Sequence, residues 1–162
     1  MTATVHIARG RGASLVRRHP WVFSGSIDRV DGDPGVGESV LVRAADGEFL
    51  AYGAYSPASQ IRVRAWGFDE AEPPCEEFIR RRLGAAVLRR RQLLAGPLDA
   101  VRLVHGESDG LPGVIADRFS STVILQVLSA GAERWRDTIA DALLGLDGVR
   151  TVFERSDAEV RA

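Results

Sequence analysis

The sequence predicts an α+β protein made of two units, and three features of the chain carry that prediction. Short segments in which apolar and polar residues alternate occupy residues 1–68 and indicate strands. An acidic, proline-bearing stretch at residues 69–75 interrupts this pattern. From Glu76 onward, apolar residues at helical spacing appear and then give way to further strand patterns. We therefore expect a β-rich unit over 1–68, a linker over 69–75 and an α+β unit over 76–162.

The β-rich unit is predicted to open with a short strand at residues 5–8, which the glycine-bearing turn Gly10-Arg11-Gly12 ends. Ser14 can cap a short helix, and Pro20 stops that helix because proline has no N–H to donate. The pair Asp46-Gly47 is a strong hairpin signal. Three further strands are predicted, at Ser39–Ala44, Glu48–Ala54 and Gln60–Trp66.

The last of these strands has two chemically different faces. Ile61, Val63 and Ala65 form an apolar face, and the two-residue period of a strand directs the other side chains to the opposite face. A basic face that carries an aromatic ring can hold phosphates and stack a base, whereas the alternative is an ordinary solvated sheet face. The side chains of this second face are Gln60, Arg62, Arg64 and Trp66.

Basic residues are concentrated at the N-terminus although the net charge of the chain is −1. All 21 basic residues are arginine, and residues 1–19 contain four of them with no acidic residue. Guanidinium groups make bidentate contacts with phosphate and stack on bases, so this end of the chain favours a nucleic-acid partner. Together with the strand face, it gives the candidate RNA-binding set of Arg9, Arg11, Arg17, Arg18, His19, Gln60, Arg62, Arg64 and Trp66.

Two aromatic residues, Trp21 and Phe23, directly follow the basic segment. Large rings bury much apolar surface and are typical anchors of a small core. We therefore expect both rings to point inward, while Arg17, Arg18 and His19 point outward.

The second unit is predicted to begin with a helix from Glu76 to Leu94. Arg90 falls within the apolar arc of this helix, and an unpaired buried charge is very costly. We therefore expect Arg90 to contact an acid of the same unit, the candidates being Glu107, Asp109, Glu154 and Asp157. The remaining predicted elements are strands at Val101–His105, Val114–Phe119, Thr122–Leu128 and Arg150–Glu154, and a helix at Glu133–Leu146.

Composition predicts a soluble protein of the cytoplasm without chemistry of its own. The chain is 45% hydrophobic and 27% charged, as globular proteins are, and no apolar run approaches the roughly 18 residues of a membrane span. A single cysteine, Cys75, excludes an internal disulfide and cysteine-rich zinc sites. Glu107 and Asp109 belong to a segment of ordinary turn residues. We therefore expect no catalytic residue, metal or cofactor within this chain.

Several longer segments resemble one bacterial enzyme family. They are Arg17–Ser26, Gly53–Arg64, Gly106–Gly113, Asp117-Arg118, Leu128–Glu133 and Arg155–Asp157. In that order they resemble the S-adenosylmethionine-dependent methyltransferases that modify carbon 5 of cytosine in 23S ribosomal RNA and carry a PUA domain. The resemblance covers nearly the whole chain, and such long segments are more specific than any short motif.

The resemblance implies a small PUA-like β-barrel followed by an α/β domain of strand-strand-helix-strand-strand order. In the family a Rossmann-like methyltransferase domain comes next and carries the cofactor loop and the attacking cysteine. By this resemblance we expect that domain to lie outside the present sequence, and Cys75 does not match the attacking cysteine because it precedes the central domain. S-adenosylmethionine is therefore implied for the missing domain only, and we expect this chain alone to be inactive.

The function that the resemblance implies is RNA binding, as the substrate-recognition portion of the methyltransferase. Its partners would be ribosomal RNA, 23S by the resemblance, and the missing C-terminal methyltransferase domain, with no membrane partner. Two alternatives stay open from the residues themselves. One is a stand-alone RNA-binding protein, and the other is a structural module that self-associates as a homodimer with incidental RNA contact.

Overall fold

The structure, a computed structural model, describes residues 2–90 and 100–156. The chain divides into two compact units, Met1–Pro74 and Cys75–Arg161. Each unit combines a sheet with helical segments, so the predicted α+β class is confirmed. The two units are called unit one and unit two below.

The described part of unit one is a curled six-stranded sheet with the strand order β2-β6-β5-β4-β1-β3. Neighbouring strands are antiparallel except β1 and β4, which run parallel. A one-turn helix, α1 (Ala13–Val16), lies between the first two strands of the chain. The strands are β1 (Thr4–Ile7), β2 (Trp21–Phe23), β3 (Ile27–Asp31), β4 (Ser39–Arg43), β5 (Phe49–Tyr55) and β6 (Ile61–Gly67).

The core of unit one follows from the two-residue period of its strands. Val5 and Ile7 of β1, Val40 and Val42 of β4, and Val63 of β6 are all fully buried. Burying each such side chain stabilises the fold by about 1.5–3 kcal/mol. The predicted hairpin at Asp46-Gly47 is confirmed, because it joins β4 to β5 and its glycine adopts a φ of 92°.

Two short strands of unit one, β2 and β3, were not predicted. The predicted cap of α1 is also wrong, since Gly12 is the residue before the helix and no side chain caps it. β2 has only three residues, too few for a strand period to be visible in the sequence. β3 has five residues, but three of them are charged, so it shows no clear apolar alternation.

The prediction that Trp66 lies on the outer face of its strand is wrong. Ala65 pairs with Gly53 and Gly67 pairs with Tyr52, so Trp66 is an additional residue in β6. Such a β-bulge shifts the alternation of side chains by one position. Ala65 and Trp66 are consequently both buried, and only 2% of Trp66 is exposed. In this conformation the indole is not available to stack a base.

Between residues 100 and 156, unit two contains a four-stranded sheet with the order β10-β9-β8-β7. β10 is parallel to β9, and the other neighbours are antiparallel. The helices contact one another and pack on the sheet. The elements are α2 (Glu76–Arg89), β7 (Ala100–His105), β8 (Val114–Phe119), β9 (Thr122–Val127), α3 (Ala130–Arg134), α4 (Arg136–Leu144) and β10 (Thr151–Glu154).

The helices of unit two differ in detail from their predicted bounds. The last predicted turn of α2, up to Leu94, lies outside the described residues. The single helix predicted at residues 133–146 is two helices that meet at Trp135. The first begins earlier because the Ala132 N–H donates to Ser129 Oγ at 3.2 Å and so caps it. The described order is therefore three strands, two helices and one strand, rather than the strand-strand-helix-strand-strand order that the resemblance implies.

The predicted carboxylate partner of Arg90 is confirmed and is Asp109. Arg90 donates from Nη1 and Nη2 to the two carboxylate oxygens at 3.0 and 2.8 Å. Arg89 Nη2 and the backbone N–H of His105 also donate to this carboxylate, each at 2.7 Å. The side chain of Asp109 is only 3% exposed, so the group ties the end of α2 to the turn after β7.

These contacts determine the charge state of Asp109. Burial by itself raises the pKa of the carboxyl group, but the hydrogen bonds from Arg90, Arg89 and the His105 N–H outweigh it. The pKa therefore lies below its usual value. Because the folded state holds the proton less tightly than the unfolded state, this pair stabilises the fold above the ordinary pKa. The stabilisation is lost as the pH falls through the lowered pKa.

We predict that Asp109→Ala lowers the free energy of unfolding by about 3 kcal/mol near pH 7, because Arg90 then stays largely buried without its partner. Urea unfolding followed by circular dichroism measures this. The control is Asp117→Ala, whose partner Arg102 is 46% exposed and whose loss we expect to cost less than about 1 kcal/mol.

Wild type and Asp109→Ala also test the pH dependence of stability. The difference between wild type and Asp109→Ala is expected to stay constant well above the ordinary carboxyl pKa of 3.8 and to shrink as the pH falls below it. A difference that does not change over this range would mean that the ion pair contributes nothing to stability.

Candidate nucleic-acid interface

The pairing of β2 with β6 brings together two arginine-bearing segments that are far apart in the sequence. Trp21 lies opposite Arg64, and Val22 lies opposite Val63. Backbone hydrogen bonds extend the pairing at both ends of β2, where the Ala65 N–H donates to the Pro20 carbonyl at 2.7 Å. The Ser24 N–H donates to the Gln60 carbonyl at 2.9 Å. The segment after α1 and the strand β6 therefore form one continuous surface.

The prediction that Trp21 and Phe23 both anchor the core is wrong. β2 is a strand, so its side chains alternate, and the core position belongs to Val22, which is fully buried. Trp21 is half-buried, and 48% of Phe23 is exposed. These two rings are candidate functional residues, although the sequence predicts that they point into the core. Their spacing around a β-branched residue is the one sequence signal that indicates their true direction.

Three rings follow one another along the outer side of β2. His19 and Trp21 meet edge to face with centroids 5.6 Å apart, and Trp21 and Phe23 do so at 6.3 Å. The backbone N–H of Trp21 donates to His19 Nδ1 at 3.3 Å, which fixes the start of the row. Edge-to-face contacts of this kind stabilise aromatic pairs beyond their buried area.

Arginines lie on the segment that leads into β2 and on the strand paired with it. Arg17 and Arg18 are exposed at the end of α1, and Arg17 Nε donates to the Ala13 carbonyl at 3.2 Å. Arg62 and Arg64 of β6 are half-buried. Guanidinium groups beside exposed rings are the arrangement that holds a phosphate backbone while bases stack. We name this surface the β2–β6 face, and its residues are Arg17, Arg18, His19, Trp21, Phe23, Gln60, Arg62 and Arg64.

The two arginines before α1 line two different clefts. Arg11 lines a cleft of about 270 Å³ together with residues of α1 and β2. We name it the α1–β2 cleft, and the residues that line it include Arg11, Ser14, Leu15, Trp21, Val22, Phe23 and Ser26. Arg9 lines a separate cleft of about 470 Å³, which Asp46 also lines. Arg11 is therefore placed beside the rings, whereas Arg9 shares its cleft with a carboxylate.

Arg18 has an unusual backbone conformation. Its φ of 61° lies in the left-handed region, which most L-residues avoid at a cost of roughly 1–2 kcal/mol. The position directly follows the C-cap of α1, where glycine is the usual residue. An arginine at this position therefore makes the folded state less favourable than a glycine would. Backbone strain of this type is concentrated at functional positions.

Unit two contains Asp109 and Cys75, two residues that were considered as candidates for chemistry. Asp109 is engaged by two arginines, and Cys75 is an exposed free thiol. Across residues 2–90 and 100–156, no group of three or more His, Cys, Asp or Glu side chains could hold a metal ion. Within the same ranges, every helix is too short or too polar to cross a membrane.

Both units are similar to parts of known proteins. A family model for a PUA-like domain matches residues 5–68. Ribosomal RNA large subunit methyltransferase I of Pseudoalteromonas translucida is 46% identical over 162 residues, which cover 99% of this chain and 41% of that protein. The protein of the same name from Escherichia coli O9:H4 is 47% identical, with the same coverage of both chains. This chain thus spans about 41% of the length of the curated relatives that it matches.

Solved structures agree on the fold. A candidate SAM-dependent methyltransferase from Streptococcus mutans superimposes with a TM-score of 0.83 at 16% sequence identity, covering 100% of this chain and 42% of that one. A second candidate methyltransferase, complexed with SAH, gives a TM-score of 0.82 at 14% identity, covering 99% of this chain and 41% of that one. The chain therefore contains a PUA-like domain over residues 5–68, and over nearly its whole length it is similar to part of a ribosomal RNA large-subunit methyltransferase.

Proposed function

We propose that this chain is the RNA-recognition portion of a ribosomal RNA large-subunit methyltransferase and that the β2–β6 face contacts the RNA. The observation that carries this proposal is the pairing of β2 with β6, which puts Arg64 beside Trp21 and joins the segment that carries Arg17 and Arg18 to β6. The PUA-like match and the names of the relatives supply the class of substrate.

The chemistry of this face fits a flexible, negatively charged strand. Arg17, Arg18, Arg62 and Arg64 provide guanidinium groups that replace the counterions of phosphates, which makes affinity dependent on salt. Exposed rings such as Phe23 provide faces on which bases stack with little sequence preference. Phosphate contacts fix the position of the RNA, and base contacts add selectivity.

For the longer enzyme that the relatives represent, we propose the activity that the family resemblance implies. S-adenosylmethionine would bind to a domain outside this sequence and supply the methyl group, and the target would be carbon 5 of a cytosine in 23S ribosomal RNA. The role of residues 1–162 is then to hold and orient that RNA in the cytoplasm, where ribosomes are assembled.

A second candidate function, self-association through unit two, is favoured by one observation. Phe119 pairs with Thr122, and Phe153 pairs with Ile124, so both rings lie on the same face of the sheet. Both rings are at least half exposed. If this face joins a second copy of the chain, wild type sediments as a dimer in analytical ultracentrifugation and Phe153→Asp as a monomer. A monomeric wild type would reject this function without affecting the RNA proposal.

We predict that Arg62→Ala and Arg64→Ala each weaken RNA binding similarly for all sequences and lower the slope of log affinity against log salt by about 1. The reason is that each substitution removes one phosphate contact. Fluorescence-anisotropy titration of a labelled ribosomal RNA hairpin at several salt concentrations measures both quantities.

Arg80→Ala is the matched control, because it removes one exposed arginine from unit two and changes the net charge equally. We expect its affinity to remain close to wild type. Equal affinities for wild type and the Arg62→Ala, Arg64→Ala double variant at every salt concentration would reject the β2–β6 face as the RNA surface.

We predict that Arg18→Gly separates stability from binding. Glycine relieves the left-handed strain but adds freedom to the unfolded chain, so the free energy of unfolding should stay unchanged or rise by less than about 1 kcal/mol. RNA affinity should fall, because the guanidinium is lost. Urea unfolding and anisotropy titration of the same preparation test both parts, and Arg18→Lys, which keeps the charge, should retain most of the binding. A glycine variant that binds RNA like wild type would show that Arg18 makes no RNA contact.

A further inference from the structure

We infer that the α1–β2 cleft takes one unpaired nucleobase of the bound RNA. This inference rests on the proposed function and specifies the form of RNA that unit one recognises: a strand from which a base can be turned out. Four properties of the cleft support it, namely its size, its walls, its polar groups and the cations beside it.

The size of the cleft suits one small ring system. Its volume of about 270 Å³ lies just below the range of about 300–1,000 Å³ in which drug-sized ligands bind. A cleft of this size does not accommodate two stacked strands of a duplex. A single base, entering from the open side of the sheet, is an occupant that matches these dimensions.

The walls of the cleft are apolar and aromatic. Leu15 of α1 and Val22 of β2 are buried members of the core and line the cleft. Trp21 and Phe23 form a corner, since their rings are inclined at 84° with centroids 6.3 Å apart. A flat base that stacks on one ring therefore meets the other ring edge-on, and both geometries are favourable for π-systems.

The polar groups of the cleft are compatible with a base but do not select one sharply. Ser14 and Ser26 contribute hydroxyl groups, which can donate or accept a hydrogen bond. The described residues that line the cleft include no acidic side chain, and Arg11 supplies a positive charge. A neutral base attached to a phosphate is thus accepted, whereas a second cation is repelled.

Cations are placed where the phosphates on either side of the bound nucleotide would run. Arg64 lies directly across from Trp21 in the β2–β6 pair, and Arg11 lines the cleft itself. The exposed Arg17 and Arg18 follow α1, whose Leu15 lines the same cleft. A ligand that extends from the cleft in either direction therefore meets a guanidinium group, which favours a nucleotide within a chain over a free aromatic molecule.

The consequence concerns the form of the RNA. A base in a duplex must be unpaired and unstacked before it can enter, which costs a few kcal/mol, whereas a loop or bulge nucleotide avoids most of that cost. The α1–β2 cleft thus favours unpaired RNA, because a paired base would first have to be extracted from the duplex. Duplex RNA is expected to bind through the arginines alone.

The experiment uses residues 1–162 and a hairpin RNA with an unpaired loop, compared with versions in which one loop nucleotide at a time is abasic. We expect at least one abasic position to weaken binding by about 5- to 150-fold, the range of stacking contributions per base. Phe23→Ala should weaken binding of the intact hairpin by a similar factor. It should cause little further loss with that abasic hairpin, because the two changes remove the same contact. The salt slope should stay unchanged in both cases.

Two further variants make the outcome independent of folding artefacts. Ser26→Leu narrows the cleft without removing a ring or a charge and should reproduce the loss seen with Phe23→Ala. Leu144→Ala shortens an apolar side chain of unit two that is 49% exposed, close to the 48% of Phe23, and should leave RNA affinity unchanged. Thermal unfolding of each variant verifies that the fold is retained.

The result distinguishes this inference from the proposed function. If every abasic hairpin binds as tightly as the intact one, or if Phe23→Ala weakens intact and abasic RNA equally, the nucleobase assignment is overturned. The RNA proposal survives that result as long as Arg62→Ala and Arg64→Ala still lower the affinity and the salt slope. Failure of wild type to bind any of these RNAs overturns both.

Discussion

The antiparallel pairing of β2 with β6 is the constraint on which the candidate RNA surface depends. β2 has only three residues, yet backbone hydrogen bonds at Pro20 and Ser24 fix it against β6. Once Val22 occupies the core, the alternation of a strand leaves no choice for its neighbours, and Trp21 and Phe23 must face outward. Burial of a single valine therefore decides the direction of two rings and their position beside Arg64.

Sequence patterns predicted those parts of the fold in which apolar residues recur at a regular spacing. The strands β4, β5 and β6 and the helix α2 contain enough apolar residues at regular spacing for their period to be visible. The partner of Arg90 could be narrowed to a few acids, Asp109 among them, since the cost of an unpaired buried charge is large wherever it occurs. Arg62 and Arg64 of the β2–β6 face could be named because the alternation of β6 holds from Arg62 to Ala65.

The remaining features depend on one to three residues, which are too few to establish a period. The bulge at Trp66 adds one residue to β6 and turns a ring from the surface to the interior, which alternation alone cannot reveal. The direction of Trp21 and Phe23 required knowledge of a three-residue strand. The left-handed turn at Arg18 follows from how the chain leaves α1 and reverses toward β2, and nothing in its neighbours marks it. The errors therefore concern the aromatic residues, while Arg17 and Arg18 are exposed and Arg62 and Arg64 are half-buried, as positions on a surface require.

β2 is an outermost strand of its sheet, so one row of its backbone N–H and C=O groups has no neighbouring strand in the described part of unit one. Such an edge can recruit a strand of another chain and start aggregation, and proteins block it with short strands, prolines and charges. The three-residue length of β2, Pro20 before it and Arg17 and Arg18 nearby are devices of this kind. The residues proposed to hold RNA thus also protect the free protein from edge-to-edge association, so solubility and substrate affinity constrain the same few positions.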